Sequence, residues 1–504
     1  MSAIYPVADI RKIEQSALRA LPPYSLMQRA GQAAAQAALR MLAGPPHASA
    51  ILVLAGPGNN GGDALEAGAV LAKAGAEVVV LLKAAPSQLL ADASQALVRA
   101  QRNGVHLMPP EQFAEIDSNP WSLVIDGLFG IGLSRALDGD WRSLVRAVNA
   151  MACPVLALDV PSGLDADTGT VVGGTVGIAV KASHTVTFIA DKTGLHTGDG
   201  PDYAGQVEVA ALDIADSHFP APHMWLSQPS LFSEYLRPRR RNSHKGSFGD
   251  VAVIGGAAGM AGAPILAARA AAKCGAGRVF VGYPENPPAY DSAQPELMCR
   301  LAADLDFSSA VLVVGPGLGM ADTALALLGR ALDALNWLVL DADALNLLAR
   351  QPQLQTQAAQ RQHAVLMTPH PLEAARLLGV STSDVQADRI AAARTLASRF
   401  NAVVVLKGAG SIIARADGAV VVNSTGNPAL ATAGSGDVLS GICGALLAQG
   451  WPQWEAALAA VWLHGRAADQ LVAQGIGPIG LSASELIPEA RLVLNQLLQE
   501  RWPA

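Results

Sequence analysis

Short apolar runs recur along the whole chain and alternate with longer, alanine-rich stretches. In the first half these runs cover residues 51–56, 77–82, 123–127, 155–160 and 184–189. They are rich in β-branched residues and show no polar alternation, which is typical of parallel strands buried on both faces. The stretches between them, such as 63–75, predict helices. Together they predict a parallel sheet built from right-handed βαβ units.

This rhythm stops at residues 214–242 and then restarts. The interruption carries prolines, histidines and the basic run RPRRR, which we interpret as a solvated linker rather than a nucleic-acid contact. The apolar runs that follow cover residues 251–256, 278–282, 310–319, 337–345, 364–370, 402–410 and 418–427. The pattern therefore predicts two α/β domains, at residues 1–215 and 230–504, joined by a linker at 216–229.

Composition narrows the class of protein. A chain of 504 residues is too long for one ordinary domain, and 51% hydrophobic with 15% charged residues is a globular composition. A net charge of -7 argues against nucleic acid as a partner. Four cysteines without a C-x-x-C pair argue against disulfides and structural zinc. No signal-peptide core and no bilayer-length apolar run occur, so we expect a cytoplasmic protein with small-molecule substrates and no membrane partner.

A glycine-rich loop, GPGNNGGD at residues 56–63, follows the first apolar run. Its spacing matches G-x-G-x-x-G, the loop that binds a dinucleotide in dehydrogenases. Three features argue against that interpretation. The next strand ends in Lys83 rather than an acidic residue, Pro57 lacks a backbone donor, and Asp63 is expected at the helix start, where its charge competes with a phosphate. The spacing alone is equally compatible with a simple strand-to-helix connection.

Polar side chains follow three of the predicted strands in this half. Asn59, Asn60 and Asp63 follow the first strand, and Asp126 and Asp159 end two others. Each aspartate singly is more often a turn or capping residue, but the carboxyl edge of a parallel sheet is where ligands bind. Three such loops at one edge predict a site. The oxygens that this edge offers to a hard cation belong to Asn60, Asp126 and Ser162.

The segment ATAGSGDVLSG in the second half predicts a phosphate site. Gly434 and Gly436 free the backbone to turn its amides toward an anion, at a helix expected to start at Asp437. The Walker ending Gly-Lys-Ser/Thr is missing. Asp437 is a candidate general base, with helix capping as the alternative. The segment LKGAGS adds Lys407 beside a second glycine turn, and the two loops together favour a nucleotide site.

Further polar residues end predicted strands in this half. His370 lies between two prolines in TPHP, where a rigid turn favours ligand contact over the structural role usual for lone histidines. Asp341, Asp343 and Asn346 in DADALN follow another strand, and helix capping is the simpler role for them. We treat these three as supporting candidates.

Motifs in both halves resemble those of the NAD(P)H-hydrate repair enzymes. GPGNNGGDAL, VIDGLFGIGL, DVPSGLDADTG and AVKASHTVTFIADKTGL are similar to the epimerase domain of that family. HKGSFGDVAVIGG, GMAGAPILAARAAAKCGAGRV, VGPGLG, DADALN, TPHPLEAARLL, LKGAG and AGSGDVLSG are similar to its ADP-dependent dehydratase domain. The resemblance covers nearly the whole chain. It departs at Ser435, where many relatives have Thr, and at Leu372, where many have Gly and where we expect a narrower pocket beside His370.

For the N-terminal half the resemblance implies a Rossmann-like domain that interconverts the R and S forms of hydrated NADH and NADPH at nicotinamide C6. It implies substrate binding by Asn59, Asn60, Gly61, Gly62, Asp63, Gly130, Ile131, Gly132, Leu133 and Asp159. Asp159 is also a candidate for proton transfer, and Lys83 for phosphate contact or acid chemistry. It implies a potassium ion bound by Asn60, Asp126 and Ser162.

For the C-terminal half the resemblance implies a ribokinase-like domain that dehydrates the S hydrate with ADP, releasing AMP and phosphate. Asp437 is the expected base, and magnesium is expected on the phosphates. Nucleotide binding is implied for Lys407, Gly408, Ala409, Gly410, Ser411 and Gly436. Hydrate binding is implied for Ala263, Gly317, Gly319, His370 and Asp437. We also expect a homo-oligomer, with a tetramer as one candidate.

Two other functions use some of the same residues. A ribokinase-like kinase of a small alcohol, fused to a non-catalytic ligand-binding domain, also needs Asp437 and the glycine loop, but it has no use for the N-terminal motifs. A nucleotide-sensing protein without turnover has no use for Asp437, Lys407 and the cation ligands. The residues favour the repair enzyme, and analysis of the products from hydrated NADH and ADP discriminates the three.

Overall fold

The computed structural model of the chain describes residues 2–108, 120–363 and 365–502. It divides into two compact units, one of residues 3–222 and one that begins at His223 and includes Ser2. The predicted linker 216–229 differs from this division, because Met224–Leu226 is a strand paired in parallel with Val420–Val422 of the second unit. So short a strand leaves no clear apolar run, and its pairing partner is far away in the sequence.

The first unit is a parallel sheet with helices on both faces. Its strands are β1 (Ile4–Tyr5), β2 (Ala50–Ala55), β3 (Glu77–Leu82), β4 (His106–Met108), β5 (Leu123–Gly127), β6 (Val155–Leu158), β7 (His184–Phe188), β8 (Asp191–Lys192) and β9 (Gln206–Ala210). Its α-helices are α1 (Val7–Leu18), α2 (Ser25–Met41), α3 (Asn59–Lys73), α4 (Ala91–Arg102), α5 (Gly139–Ala150) and α6 (Gly200–Ala204). Seven strands form one sheet in the order β4-β3-β2-β5-β6-β7-β9, and β1 and β8 form a separate parallel pair.

Both faces of this sheet are covered, which explains the uninterrupted apolar runs. Ile51 and Val53 of β2 pack in a cluster with α2, α3 and α4. Leu52 and Leu54 of the same strand point to the opposite face and pack in a second cluster with α5. Because neighbouring residues of a strand face opposite ways, a strand covered on both sides needs apolar residues at every position. The prediction of a parallel sheet with buried strands is confirmed.

The helix after the glycine loop begins earlier than the sequence pattern predicts. α3 starts at Asn59 rather than at Asp63, so Asp63 lies about one turn inside the helix and is buried. The expectation that its charge competes with a phosphate at the helix start was therefore wrong. The first turn of α3 consists of asparagines and glycines, so the apolar periodicity that predicts a helix is absent there.

The second unit is a larger sheet of the same kind. Its strands are β10 (Met224–Leu226), β11 (Asp250–Ile254), β12 (Arg278–Tyr283), β13 (Met298–Leu301), β14 (Val311–Val314), β15 (Leu338–Leu340), β16 (Val365–Met367), β17 (Val403–Leu406), β18 (Ile412–Ala414) and β19 (Val420–Val422). Its α-helices are α7 (Gly262–Lys273), α8 (Asp322–Asp333), α9 (Ala342–Arg350), α10 (Pro352–Ala359), α11 (Pro371–Leu378), α12 (Thr382–Ala387), α13 (Arg389–Phe400), α14 (Ser435–Ala448), α15 (Gln453–Ala473) and α16 (Ala483–Arg501).

The strand order in this sheet is β10-β19-β18-β17-β16-β15-β14-β11-β12-β13. Only β18 among these strands runs antiparallel to its neighbours. One face of the sheet packs against α7, α14, α15 and α16 in a continuous apolar core. The apolar runs located most of the strands but missed β10, β13 and β18, which are short. Ala364, the first residue of a predicted strand, lies outside the described residues.

Two elements near the predicted site begin or end at other residues than the sequence pattern predicts. The run 337–345 is only partly a strand: β15 ends at Leu340, and α9 begins at Ala342. α14 begins at Ser435, after Gly434 in the left-handed region at φ +89°, and not at Asp437. Asp437 therefore lies in the first turn of the helix, beside the glycine turn that precedes it.

Candidate functional site

A cavity of about 460 Å³ opens at the carboxyl edge of the seven-stranded sheet. Loops after β2, β5 and β6 form one part of its wall, and α1 and α2 form another. The predicted substrate residues in this wall are Asn59, Asn60, Asp63, Gly130, Ile131, Gly132, Leu133 and Asp159. Residues from three separate strand ends thus meet at one cavity.

Gly61 and Gly62 do not line this cavity. A Cβ atom at Gly61 would lie 2.0 Å from the Gly56 carbonyl oxygen, and one at Gly62 would lie 2.4 Å from Met27 Cε. A Cβ atom at Gly56 would lie 1.8 Å from the Leu128 carbonyl oxygen. These glycines allow the strand, its loop and α3 to pack closely, which is a different task from binding a pyrophosphate.

The three predicted cation ligands lie close together and are buried. The backbone N–H and the hydroxyl of Ser162 donate to the two Asp126 carboxylate oxygens at 2.8 and 2.7 Å. Asn60 Nδ2 donates to the Leu158 carbonyl at 3.1 Å, whereas Asn60 Oδ1 is buried with no hydrogen-bond partner among the described residues. Burial raises the pKa of Asp126 to about 6, against the lowering effect of the bonds from Ser162. A buried oxygen without a donor and a buried carboxyl fit a bound cation.

Two carboxyls of the wall have different surroundings. Burial raises the pKa of Asp63 well above its usual range, and the nearby Asp159, Glu14 and Glu66 raise it further. Asp159 instead lies 2.8 Å from the ammonium of Lys192. Asp63 is therefore a weaker acid than an exposed aspartate, whereas Asp159 forms an ion pair with Lys192.

The structure adds residues that the sequence pattern did not select. Arg11 and Glu14 enter the wall from α1, and no local motif marks them. Lys192 lies inside the quoted motif FIADKTGL, but only the fold shows that it faces Asp159. Lys83, in contrast, does not line the cavity; its ammonium lies 3.6 Å from Asp140 and over the ring of Trp141.

In the second unit, two loops meet where α14 begins. A Cβ atom at Gly436 would lie 3.2 Å from Lys407 Nζ and 3.8 Å from Asp341 Oδ2. A Cβ atom at Gly434 would lie 3.8 Å from Asp437 Oδ2. The glycine turn, the carboxyl of Asp437 and the lysine after β17 therefore lie next to one another, as a nucleotide site requires.

Lys407 is paired with acidic side chains. Its Nζ lies 2.7 Å from Asp341 Oδ1 and 3.9 Å from Glu373 Oε2. Burial lowers the pKa of Lys407, but Asp341 and Glu373 raise it by more. Asp341 precedes α9 and makes no side-chain hydrogen bond to the helix backbone, so its side chain does not serve the capping role considered above.

Asp437 has the electrostatic environment of a proton acceptor. Burial raises its pKa to about 7, the carboxylates of Asp341, Asp343 and Glu373 also raise it, and Lys407 opposes them. A base with a pKa near the working pH combines a useful ionised fraction with a strong tendency to accept a proton. The predicted base therefore has a physical basis here beyond its position in the helix.

His370 caps α11 as well as facing solvent. Its Nδ1 accepts hydrogen bonds from the backbone N–H groups of Leu372 and Glu373 at 3.1 and 3.3 Å. Its own backbone N–H donates to Glu373 Oε2 at 2.8 Å. Burial lowers the pKa of His370, and Lys407 lowers it further. The lowered pKa favours the neutral imidazole, and its Nε2 lies 3.1 Å from Glu373 Oε1. Glu373, which the sequence analysis did not select, completes this capping box.

The remaining predicted residues lie in two glycine turns, apart from Ala263, which lies at the start of α7. Gly317 and Gly319 have φ values of +56° and +79°, and the Gly319 N–H donates to Asp343 Oδ2 at 2.9 Å. A Cβ atom at Gly317 would lie 3.2 Å from Ala263 Cβ, so these predicted hydrate residues are neighbours. In the other turn the nucleotide residues follow β17, and the buried Arg389 donates to the Lys407 carbonyl oxygen at 3.2 Å.

Residues 2–108, 120–363 and 365–502 hold neither a cluster of metal-ligating side chains nor a membrane-spanning helix. No group of three or more His, Cys, Asp and Glu side chains in these ranges has the arrangement of a metal site. No helix in the described ranges is both long and apolar enough to span a bilayer.

Comparison with known families matches both units. Residues 23–194 match the family described as YjeF-related protein N-terminus, and residues 251–489 match the family NAD(P)H-hydrate dehydratase. A crystal structure of the ADP/ATP-dependent NAD(P)H-hydrate dehydratase from Bacillus subtilis, co-crystallised with ATP and Mg²⁺, is 30% identical with a TM-score of 0.48. It covers 54% of this chain and 97% of that protein.

Curated relatives match along the full length. The bifunctional NAD(P)H-hydrate repair enzyme of Coxiella burnetii is 41% identical over 98% of this chain and 100% of the relative. That of Escherichia coli is 37% identical over 97% of this chain and 93% of the relative. The ADP-dependent (S)-NAD(P)H-hydrate dehydratase of Neisseria meningitidis is 46% identical over 53% of this chain and 92% of the relative. The match of both units decides against a small-alcohol kinase, and the chain belongs to the family of bifunctional NAD(P)H-hydrate repair enzymes.

Proposed function

We propose that the cavity of the first unit is where the chain epimerises hydrated NADH and NADPH. The C6 hydroxyl of the hydrate is attached next to the ring nitrogen, whose lone pair expels it; return of water to the other face gives the other epimer. The departing hydroxyl needs a proton and the returning water must lose one. The cavity supports this with Asp63, whose pKa burial raises well above its usual range, and with Asp159, which is paired with Lys192.

The segments 59–63, through Asn59, Asn60 and Asp63, and 130–133 are proposed to hold the hydrated ring in this cavity. The supporting observation is that both segments contribute to one wall together with Asp159. Asn60, Asp126 and Ser162 are proposed to bind a potassium ion, because they offer buried oxygens, one of which has no donor among the described residues. A bound cation supplies positive charge beside the substrate.

For the ribokinase-like second unit we propose that Asp437 takes the proton of the C6 hydroxyl as this oxygen attacks the β-phosphoryl group of ADP. AMP leaves, and the C6 oxygen becomes part of a phosphate ester. The ring nitrogen then expels phosphate, and loss of a proton from C5 restores the ring double bond. A hydroxyl leaves poorly and a phosphate leaves well, so a dehydratase gains from a kinase-like site. The observation that carries this proposal is the Asp437 carboxyl beside the glycine turn and Lys407.

The amides of the Gly434–Gly436 turn are proposed to stabilise charge on the transferred phosphoryl group. Lys407–Ser411 and Gly436 hold the AMP portion, and Ala263, Gly317, Gly319 and His370 line the hydrate pocket. Magnesium carried by the ADP phosphates fits this edge, where carboxylate oxygens of the kind it prefers surround Lys407. A bound magnesium ion neutralises phosphate charge during transfer. The homo-oligomer stays a prediction from the sequence.

Product analysis tests both proposals on the full chain. With hydrated NADH and ADP, we expect recovery of dihydronicotinamide absorbance together with AMP and phosphate. Asp159→Ala should lower epimerisation about 10²–10⁴-fold, as expected for loss of a proton-transfer group, and leave dehydration of the S hydrate unchanged. Normal epimerisation by this variant would exclude the proposed role of Asp159, and a stable phosphorylated product would exclude the dehydration mechanism.

A further inference from the structure

The buried ammonium of Lys192 has four oxygen atoms within hydrogen-bond distance. The side chain is 0% exposed. Its Nζ lies 2.7 Å from Thr187 Oγ1, 2.9 Å from the Phe188 carbonyl, 3.1 Å from the Ala190 carbonyl and 2.8 Å from Asp159 Oδ1. The first three oxygens are neutral, so Asp159 supplies the only negative charge among these four contacts.

The backbone around Lys192 is held in place. β8 pairs with β1, with Tyr5 opposite Lys192. The Lys192 N–H donates to Asp191 Oδ1 at 2.8 Å, and the same oxygen lies 2.8 Å from His196 Nε2. The side chain therefore extends from a fixed point toward its four oxygens, and it does not line the cavity itself.

Asp159 lies between this ammonium and the cavity. Its backbone has a φ of +67°, a left-handed conformation that is uncommon for residues other than glycine. Its Oδ1 accepts from Lys192 and from the Phe188 N–H at 3.3 Å, while Oδ2 is 3.4 Å from the Ile131 N–H in the opposite wall loop. Oδ1 is thus held by Lys192 and Phe188, and Oδ2 lies near the loop that contains Ile131.

We propose that Lys192 is a positioning residue for epimerisation: its buried ammonium anchors Oδ1 of Asp159, so that Oδ2 is presented to the hydrated ring. This inference rests on the proposed epimerase cavity. Burying a lysine is unfavourable unless it is paired, and an ion pair without a role is replaceable by apolar side chains. This pair instead holds a cavity residue in an uncommon backbone conformation.

The test is Lys192→Met in the full chain, which keeps the length of the side chain and removes the charge. Because a misplaced reacting group loses rate rather than binding, kcat for epimerisation should fall about 10²-fold, with KM changed less than about twofold. Thr187→Val removes one neutral acceptor of Lys192 and leaves the ion pair, so it should lower kcat less than about threefold. Lys181→Met, at an exposed lysine of the same unit, should have no effect.

The thermal unfolding curve reports folding of the first unit in each variant, and the dehydratase activity of the second unit is an internal control that should not change. Normal kcat in folded Lys192→Met would overturn the inference, as would equal losses in Lys192→Met and Thr187→Val. If Lys192→Met unfolds the first unit, Asp159→Asn is compared with the Asp159→Asn/Lys192→Met double variant. The second change should then cost less than about threefold, since Lys192 acts through the Asp159 carboxylate; a further loss of about 10²-fold would overturn the proposal.

These outcomes separate the two levels of inference. If Asp159→Ala epimerises normally, the proposed role of Asp159 is wrong, and the role of Lys192, which acts through Asp159, is wrong with it. If Asp159→Ala loses activity and folded Lys192→Met does not, the cavity stands and only the role of Lys192 is wrong.

Discussion

Replacing Asp437 by asparagine separates its chemistry from its place in the helix. Asparagine keeps the size and a hydrogen-bonding oxygen but does not accept a proton at neutral pH. Loss of a positioned base lowers kcat by about 10²–10⁴-fold, so ADP-dependent dehydration should fall by that factor. In the wild type, dehydration should rise with pH through about 7, because the pKa of Asp437 is raised to about 7 and the base must be ionised. The residual activity of the variant should lack this rise.

The same substitution should stabilise the second unit at alkaline pH. A carboxyl whose pKa rises from 3.8 to about 7 on folding binds its proton more tightly in the folded state, so stability falls as pH rises through this interval. The full difference corresponds to about 4 kcal/mol above pH 7. Since Asp437 is only partly buried, we expect about half of this, or about 2 kcal/mol. The uncharged asparagine carries no such penalty, and the advantage of the variant should vanish below about pH 4.

The assay follows dihydronicotinamide absorbance with the S hydrate and ADP from pH 5.5 to 8.5, with thermal unfolding at pH 4 and pH 8. Asp322→Asn is the matched control, because Asp322 is an exposed aspartate in the first turn of another helix of the same unit. It should change neither the rate nor the pH dependence of stability. Near-normal dehydration by Asp437→Asn would reject the base, and equal stability differences at both pH values would reject the electrostatic account.

Three further predictions concern other parts of the chain. Gly56→Ala should destabilise the first unit by about 1–3 kcal/mol or more in thermal unfolding, since the new Cβ would lie 1.8 Å from the Leu128 carbonyl oxygen; an unchanged transition would contradict this. Ser162→Ala should raise the potassium concentration needed for half-maximal epimerisation, measured against choline, and an unchanged potassium dependence would exclude the site. Lys407→Met should raise the KM for ADP and shift the pH of half-maximal dehydration above about 7, because removing a cation raises the pKa of Asp437 further. A shift to lower pH would refute it.

Much of the site was predictable because polar residues at strand ends stand out against apolar strands. Asp126 and Asp159 follow buried runs, and parallel strands place their carboxyl ends at one edge. The roles of the glycines were less predictable. Gly61 and Gly62 carry a binding motif in the sequence but face packed neighbours in the fold. A spacing pattern does not distinguish a glycine that approaches a ligand from one that approaches the protein's own backbone.

Charged contacts between segments that are far apart in the chain could not be predicted from the sequence. Lys192 reaches Asp159, and Lys407 reaches Asp341, because strand order brings these segments together. The pKa values follow from the same packing: Asp437 is raised by burial first and by carboxylates from other loops second. None of these distances is encoded in local spacing.

The sequence by itself determined the α/β class, two sheets of mostly parallel strands and the polar loops that follow these strands. It did so because a strand covered on both faces must be apolar at every position, and the polar residues that follow it mark the sheet's ligand edge. Only the tertiary structure decided where α3 and α14 begin, which glycines serve packing, and which ion pairs form. These features depend on contacts between residues far apart in the chain, and burial then sets their electrostatics.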